Sequence, residues 1–328
     1  FQTHFDMTGS FLNNVFHDPM TMTPGDLILR LLFVLQTGIG VLGNTFLLLT
    51  YTSTACTGQA PRPTHLILTN LAVANVFFLL FKGIPQMILI WGVTHTLGNM
   101  GCKLVTYFHR TARGLSLCIT GHLSSFQAIT ISPRTGGWMK LKDAALKKVG
   151  FSCFLCWISN LLINLFVPVR VGALQHSHNA TRIPNFGLCS TSKKHTMSDA
   201  VIYVILMTSS DVVFMGLMLG ASVYMVLLLH RHHQRVRHIH TLSTSHRFSP
   251  EAKATQTILL LATAFIFFYF INSIFIIYHS VFSKSHIWLH HMTTFLAVCY
   301  PTVSPLILIL RDPQTLSFCS FMWKKKVP

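Results

Sequence analysis

The sequence predicts an all-α fold, a seven-transmembrane helix bundle with its N-terminus outside and its C-terminus cytoplasmic, and three observations predict it. Only 10% of the 328 residues are charged and 51% are hydrophobic. A soluble domain carries about 25% charged residues, so a soluble enzyme of this composition would lack the polar surface to cover itself. Seven long apolar runs divide the chain, each close to the roughly 20 residues a helix needs to cross hydrocarbon. Between the runs, Lys and Arg are distributed unevenly, with 15 in one alternating set of connections and 5 in the other.

The runs are Leu27 to Tyr51, Thr64 to Trp91, Cys102 to Ile131, Val149 to Val169, Asp199 to Leu229, Thr255 to His279 and Ile287 to Leu310. The second and third are weakest, because they enclose Lys82, Arg110 and Arg113, and a cation costs about 2.5 to 3.5 kcal/mol at a helix centre. Leaving either in water would expose roughly 20 apolar residues, which costs more. The runs lack the alternation of barrel strands, so helices are the spanning structure.

The richer set of cations comprises Arg62, the group from Arg134 to Lys148, the group from Arg231 to Lys253, and Arg311 with Lys324 to Lys326. By the positive-inside rule this side is cytoplasmic. The formal charge of +17 therefore reads as membrane topology; nucleic acid is not an expected partner, since the cations lie between apolar runs. The expected division is an extracellular tail at 1–26, the seven-helix domain at 27–310 and a cytoplasmic tail at 311–328. The tail at 1–26 holds no apolar stretch of the signal-peptide kind, so the first span is expected to act as its own insertion signal.

In this topology Cys102, at the outer mouth of the third span, and Cys189, in the loop before the fifth, are the two cysteines of eight that face the oxidising side. Their pairing would pin that loop across the bundle; two independent thiols are the alternative. The same loop carries Asn179-Ala180-Thr181, a glycosylation acceptor. Cys153 and Cys156 have metal-pair spacing but lie in an apolar span with no second pair, and read as packing residues. The histidine-rich run from His230 to His240 reads as a solvated cationic helix end beside anionic headgroups of membrane lipids. Cys319, near the terminal lysines, is open to palmitoylation.

Motifs along nearly the whole chain carry a resemblance. They include Gln36-Thr37-Gly38 and Gly43-Asn44, LILTNLAVAN from Leu66 and KGIPQ from Lys82. Further along come Gly101-Cys102-Lys103, His109-Arg110, Ala112-Arg113-Gly114, FQAITISP from Phe126 and FLCW from Phe154. The last are Gly216 to Leu219, Gln234 to His240, SPEAKATQTILL from Ser249 and PTVSP from Pro301. In this order, on successive helices, they resemble the vomeronasal type-1 receptors, rhodopsin-like G protein-coupled receptors for pheromones.

The resemblance implies a multi-pass plasma-membrane receptor for a small chemosensory ligand, with a heterotrimeric G protein as partner and no cofactor. It places the G protein on the basic inner surface, with Arg134, Arg235, Arg237 and Lys253 as contact candidates. The chain departs from broader rhodopsin-like receptors at two points. Ile131-Ser132-Pro133-Arg134 replaces the acid and Arg that end the third span, and Asn75 replaces the usual Asp of the second. The seventh span holds no Lys, so a retinal Schiff base has no attachment point there.

Intramembrane charges give the candidate ligand site. At about 1.5 Å per residue, Arg110 and Arg113 lie roughly 12 and 16 Å below Cys102, Lys82 lies roughly 13 Å below Trp91, and Asp211 lies roughly 18 Å below Asp199. Lys82, His109, Arg110, Arg113, Tyr107 and Asp211 are therefore the expected site residues. Charges at such depth face a bundle interior or wet cavity. Two readings follow. The cations create a positive pocket for an anionic or steroid-like ligand, or Asp211 pairs with one Arg and the cluster fixes helix packing. Tyr107, Phe108, Phe214, Tyr269, Phe270 and Phe275 are candidates for an apolar wall.

No catalytic constellation is present, since an intramembrane hydrolase would want paired acids or a metal cluster. A ligand-gated channel or anion transporter is the alternative, its cations lining a path; the odd span number and the lack of inverted repeats weigh against it. Pro85, Pro301 and Pro305 interrupt helices and permit bending. Ser249-Pro250-Glu251 reads as an N-cap, a proline at the first helical position and an acid in the first turn, and marks the start of the sixth helix.

Overall fold

The computed structural model describes residues 24–56, 62–91, 98–133, 136–173, 182–185, 189–192, 197–239, 250–281, 287–312 and 315. Seven rods run through it. The first is α1 (Pro24–Cys56) and the second is α2 (Pro63–Phe78), a π-turn (Leu79–Gly83) and α3 (Ile84–Ile90). The third is α4 (Asn99–Ile131); the fourth is α5 (Gly137–Ile163), a 3-10 turn (Asn164–Phe166) and α6 (Val167–Arg170). The fifth, sixth and seventh are α7 (Met197–Ile239), α8 (Pro250–Val281) and α9 (Ile287–Arg311).

Six of the rods contain stretches long and apolar enough to cross a membrane; the third does not. Arg110 and Arg113 dilute the hydropathy of its first half, and His122, Gln127 and several Ser and Thr residues that of its second. Position compensates, because α4 packs against α2, α5, α7 and α8 and so meets protein over much of its surface. Large apolar side chains face outward elsewhere. On α1, Leu35, Leu42 and Leu49 recur every seven residues and are exposed, while Phe33, Leu47 and Tyr51 are buried. This is the lipid stripe and the protein stripe of one helix.

Two helices outrun their apolar stretches furthest. α5 starts at Gly137, well before Val149, and α7 continues beyond Leu229 to Ile239. Lys140, Lys147 and Lys148 are exposed along the early turns of α5. Hydropathy finds only the part of a helix that lies in hydrocarbon; hydrogen bonding continues into water. α8 begins at Pro250, the position at which proline's missing N–H costs nothing.

The π-turn has a local cause. Pro85 has no N–H, and its ring clashes with the carbonyl four residues earlier in a regular helix. The Ile84 N–H instead reaches back five residues to the Leu79 carbonyl, widening one turn before the proline.

Four rods meet at a polar hub. Asn75 Nδ2 donates to Ser304 Oγ at 2.9 Å and to Asn44 Oδ1 at 3.3 Å, and Ser116 Oγ donates to Asn75 Oδ1 at 3.0 Å. Asn44 Nδ2 donates to the Gly40 and Pro301 carbonyls. The first, second, third and seventh rods are thereby cross-linked through side chains that are all essentially buried. Close approach beside the hub needs glycine at position 40, where a Cβ would lie 2.8 Å from both Leu79 Cδ1 and Thr302 Oγ1.

A small antiparallel sheet, ordered β1 (Val171–Ala173), β3 (Cys189–Ser192), β2 (Arg182–Asn185), lies between the fourth and fifth rods and packs through β1 on α4. Strands of this length carry no periodicity that a sequence could display.

Candidate functional site

The third rod carries most of the intramembrane charge, on Arg110 and Arg113, which are neighbours three residues apart on one helix and have different partners. Arg113 lies toward the fifth and sixth rods. Its Nη2 sits 3.0 Å from Asp211 Oδ2 and donates to the Tyr269 hydroxyl at 3.0 Å. Tyr269 in turn donates to the same Asp211 oxygen at 2.7 Å. The guanidinium carbon lies 5.2 Å from the Tyr269 ring centroid, within cation–π range. Three groups from three helices thus form a closed triangle. It is open to one side, with Arg113 49% and Asp211 26% exposed.

Lys82 and Arg110 interact electrostatically, and Lys82 is only 8% exposed. The π-turn carries Lys82 one residue before Gly83, whose missing side chain lets Thr37 of α1 approach; a Cβ would lie 2.8 Å from Thr37 Cγ2. His109 packs on Phe78 at 5.2 Å and lies within electrostatic reach of Lys82, Arg110 and Arg113.

Several polar atoms nearby are buried and lack a hydrogen-bond partner among the described residues: Gln86 Nε2, Thr37 Oγ1, Gln36 Oε1 and Thr111 Oγ1. Unsatisfied groups in a bundle interior are costly, and ordered water commonly completes such bonding.

The sequence candidates separate accordingly. Lys82, His109 and Arg110 form one group, and Arg113 with Asp211 forms another. Of the two readings of the charges, the carboxylate does pair with one Arg, and buried unpartnered atoms occur both near Lys82 (Thr37, Gln86) and on the Tyr269 helix (Asn272). Tyr107 is used elsewhere, its hydroxyl donating to the Leu161 carbonyl at 3.1 Å and so tying the third rod to the fourth.

The aromatic candidates divide as well. Phe108 stacks on Phe81 at 4.9 Å, in a cluster with Phe77 and Trp157 between the second, third and fourth rods. Phe270 falls on an outward stripe with Phe267, Ile274 and Tyr278, all at least half-exposed or nearly so, and meets lipid. Tyr269, taken from sequence as an apolar wall, is polar in its role. The hub at Asn44, Asn75, Ser116 and Ser304 is the feature the sequence reading missed; polar residues within apolar spans were the available signal.

Cys102 is fully buried and disulfide-bonded. Cys189 begins β3, and its side chain lies outside the described residues. Cys118, Cys153, Cys156 and Cys299 are free and buried; no group of three metal-binding side chains occurs among the described residues. Lys253 is exposed in the first turn of α8. Arg235 and Arg237 lie on the last turns of α7, with side chains outside the described set. Arg134, Asn179, Ser249 and Cys319 lie outside the described residues altogether.

Comparison with known proteins adds the family context. The family model described as the vomeronasal organ pheromone receptor family matches residues 27–321. Human vomeronasal type-1 receptor 4 is 41% identical over 290 residues, covering 88% of this chain and 96% of that protein. Human vomeronasal type-1 receptor 1 is 39% identical, covering 88% of this chain and 81% of its own length. The zebrafish olfactory receptor class A-like protein 1 is 31% identical over 84% of this chain and 87% of its own.

Proposed function

The chain belongs to the vomeronasal organ pheromone receptor family, and from that premise we infer that it acts as a G protein-coupled chemosensory receptor in the plasma membrane. The match across residues 27–321 is the observation that carries this reading. A small ligand entering the bundle shifts it toward a state that activates a heterotrimeric G protein, which requires the ligand to bind that state better than the resting one.

We further propose that the ligand occupies the end of the bundle bounded by Cys102 and the small sheet. The buried Lys82, the neighbouring Arg110 and the orphaned atoms of Thr37 and Gln86 support a ligand with an anionic or strongly hydrogen-bond-accepting group on an otherwise apolar, steroid-like body. A bond between Cys102 and Cys189 would hold the sheet over that opening; the oxidised state of Cys102 supports it. Glycosylation at Asn179 and G protein contact through Arg134, Arg235, Arg237 and Lys253 belong to the same proposed topology.

The test is a screen of anionic and neutral steroid-like compounds on cells expressing the receptor with a panel of Gα subunits. Ligand-evoked GTP exchange is expected from the intact chain and is lost in Lys82→Met or Arg110→Gln at unchanged surface level. Ligand-gated current without G protein would overturn the reading.

A further inference from the structure

Arg113, Asp211 and Tyr269 do more than neutralise one another. The triangle joins the third, fifth and sixth rods, and one corner of it continues into the core. The Tyr269 ring stacks on Phe265 at 6.1 Å, and Phe265 meets Tyr300 edge-on at 4.5 Å. The Tyr300 hydroxyl shares a 2.9 Å hydrogen bond with Thr120. Thr120 Oγ1 bonds the Ser116 carbonyl at 2.7 Å, and Ser116 Oγ bonds Asn75 in the hub. An unbroken series of contacts therefore runs from the exposed face of Arg113 to the polar centre that links the first, second, third and seventh rods.

Both hydrogen bonds that Arg113 makes within the triangle use the same nitrogen, Nη2, so the fork geometry that would bind a carboxylate in two parallel bonds is not realised with Asp211. A planar or tetrahedral anion approaching from the open side can take two guanidinium nitrogens at once, a stronger arrangement than the single-nitrogen contact. Its charge also opposes that of Asp211. Tyr269 would lose its hydrogen-bond donor at the same moment.

We propose that Arg113, Asp211 and Tyr269 form a clamp that holds the unliganded bundle, and that the ligand's accepting group, seated beside Lys82 and Arg110, opens it by drawing Arg113, one turn from Arg110 on the same helix, away from Asp211. This rests on the receptor reading above and assigns Tyr269 as the positioning residue that carries the change inward. Release removes the tie between the third and sixth rods, and the Tyr269–Phe265–Tyr300 stack repacks. A contiguous path is not itself evidence of coupling, so the test measures coupling directly.

Membranes carrying the full chain, Asp211→Asn, Tyr269→Phe and the exchange Arg113→Asp/Asp211→Arg are assayed without ligand for GTP exchange. In parallel, spin labels at the exposed inner positions Lys140 and Ala254 report the spacing of the fourth and sixth helices. Asp211→Asn and Tyr269→Phe are expected to raise basal exchange by about threefold to tenfold, the population shift that follows from losing one or two interhelical bonds, and to widen the distance distribution. The charge exchange returns both readouts toward the original chain. Tyr300→Phe, which removes the hydroxyl that meets Thr120, diminishes the effect of Asp211→Asn when the two are combined. Unchanged distances and unchanged exchange in both single variants would overturn the clamp. Distances that widen while no variant or parent promotes exchange on any Gα subunit would uphold the clamp and sink the receptor reading instead. Tyr269→Phe keeps the ring and its packing, so a folding loss in Asp211→Asn leaves the test decisive.

Discussion

Pro305 carries no backbone N–H, so the Pro301 carbonyl four residues earlier loses its helical partner; Asn44 Nδ2, from a different helix, supplies one at 2.8 Å. A side-chain amide here repairs a backbone defect and fastens the first rod to the seventh. Asn75 then adds the second rod and Ser116 the third. Asn44→Ala removes the bonds to Pro301 and from Asn75. At about 0.6 kcal/mol for each interhelical bond, the loss is roughly 1 kcal/mol and lowers the melting temperature by about 2 °C. The free, buried Cys118, Cys153, Cys156 and Cys299 provide the measurement, since a thiol-reactive dye labels them only as the bundle opens. An unchanged melt in Asn44→Ala would show that the Pro301 carbonyl finds another donor. Sequence reading identified Asn75 as a departure from other receptors but gave no sign of its partners, because the partners lie on helices far away in the chain.

At the scale of the element, the second rod shows how one residue turns half a helix. The π-turn accommodates an extra residue in the winding, so everything after it is rotated by about 100° relative to an uninterrupted helix. Gln86, 3% exposed, faces inward as a result. Pro85→Ala restores the N–H, permits a regular helix through Leu79–Gly83 and swings Gln86 away from the interior. A cysteine introduced by Gln86→Cys should resist a membrane-permeant maleimide beside Pro85 and react readily in the Pro85→Ala background. Equal reactivity in the two would mean that packing, not the proline, sets the wide turn. The proline was legible in sequence as a place for a kink; which kind of distortion it produces was not, since that depends on Leu79 packing against Gly40 from the neighbouring rod.

For the whole molecule, the asymmetry of Lys and Arg sets the expected sidedness, and the prediction is a glycan on Asn179 with the C-terminus inside. Glycosidase treatment should shift the mobility of the chain but not of Asn179→Gln, and a C-terminal epitope should bind antibody only after permeabilisation; an epitope reached on intact cells would reverse the orientation. The helices themselves were readable from composition and run length alone, because the bilayer is a solvent that imposes a fixed apolar length on each crossing. Their extensions into water at Gly137 and Ile239 were not, since hydropathy is silent where hydrocarbon ends. The same contrast holds for the charges. Sequence placed Lys82, Arg110, Arg113 and Asp211 at similar depth along their spans, a one-dimensional property. Tertiary structure decided that Asp211 belongs to Arg113 and Tyr269 while Lys82 lies with Arg110, because partnership depends on how each helix is rotated about its own axis. That angle is fixed by packing against neighbours, and no single segment contains it.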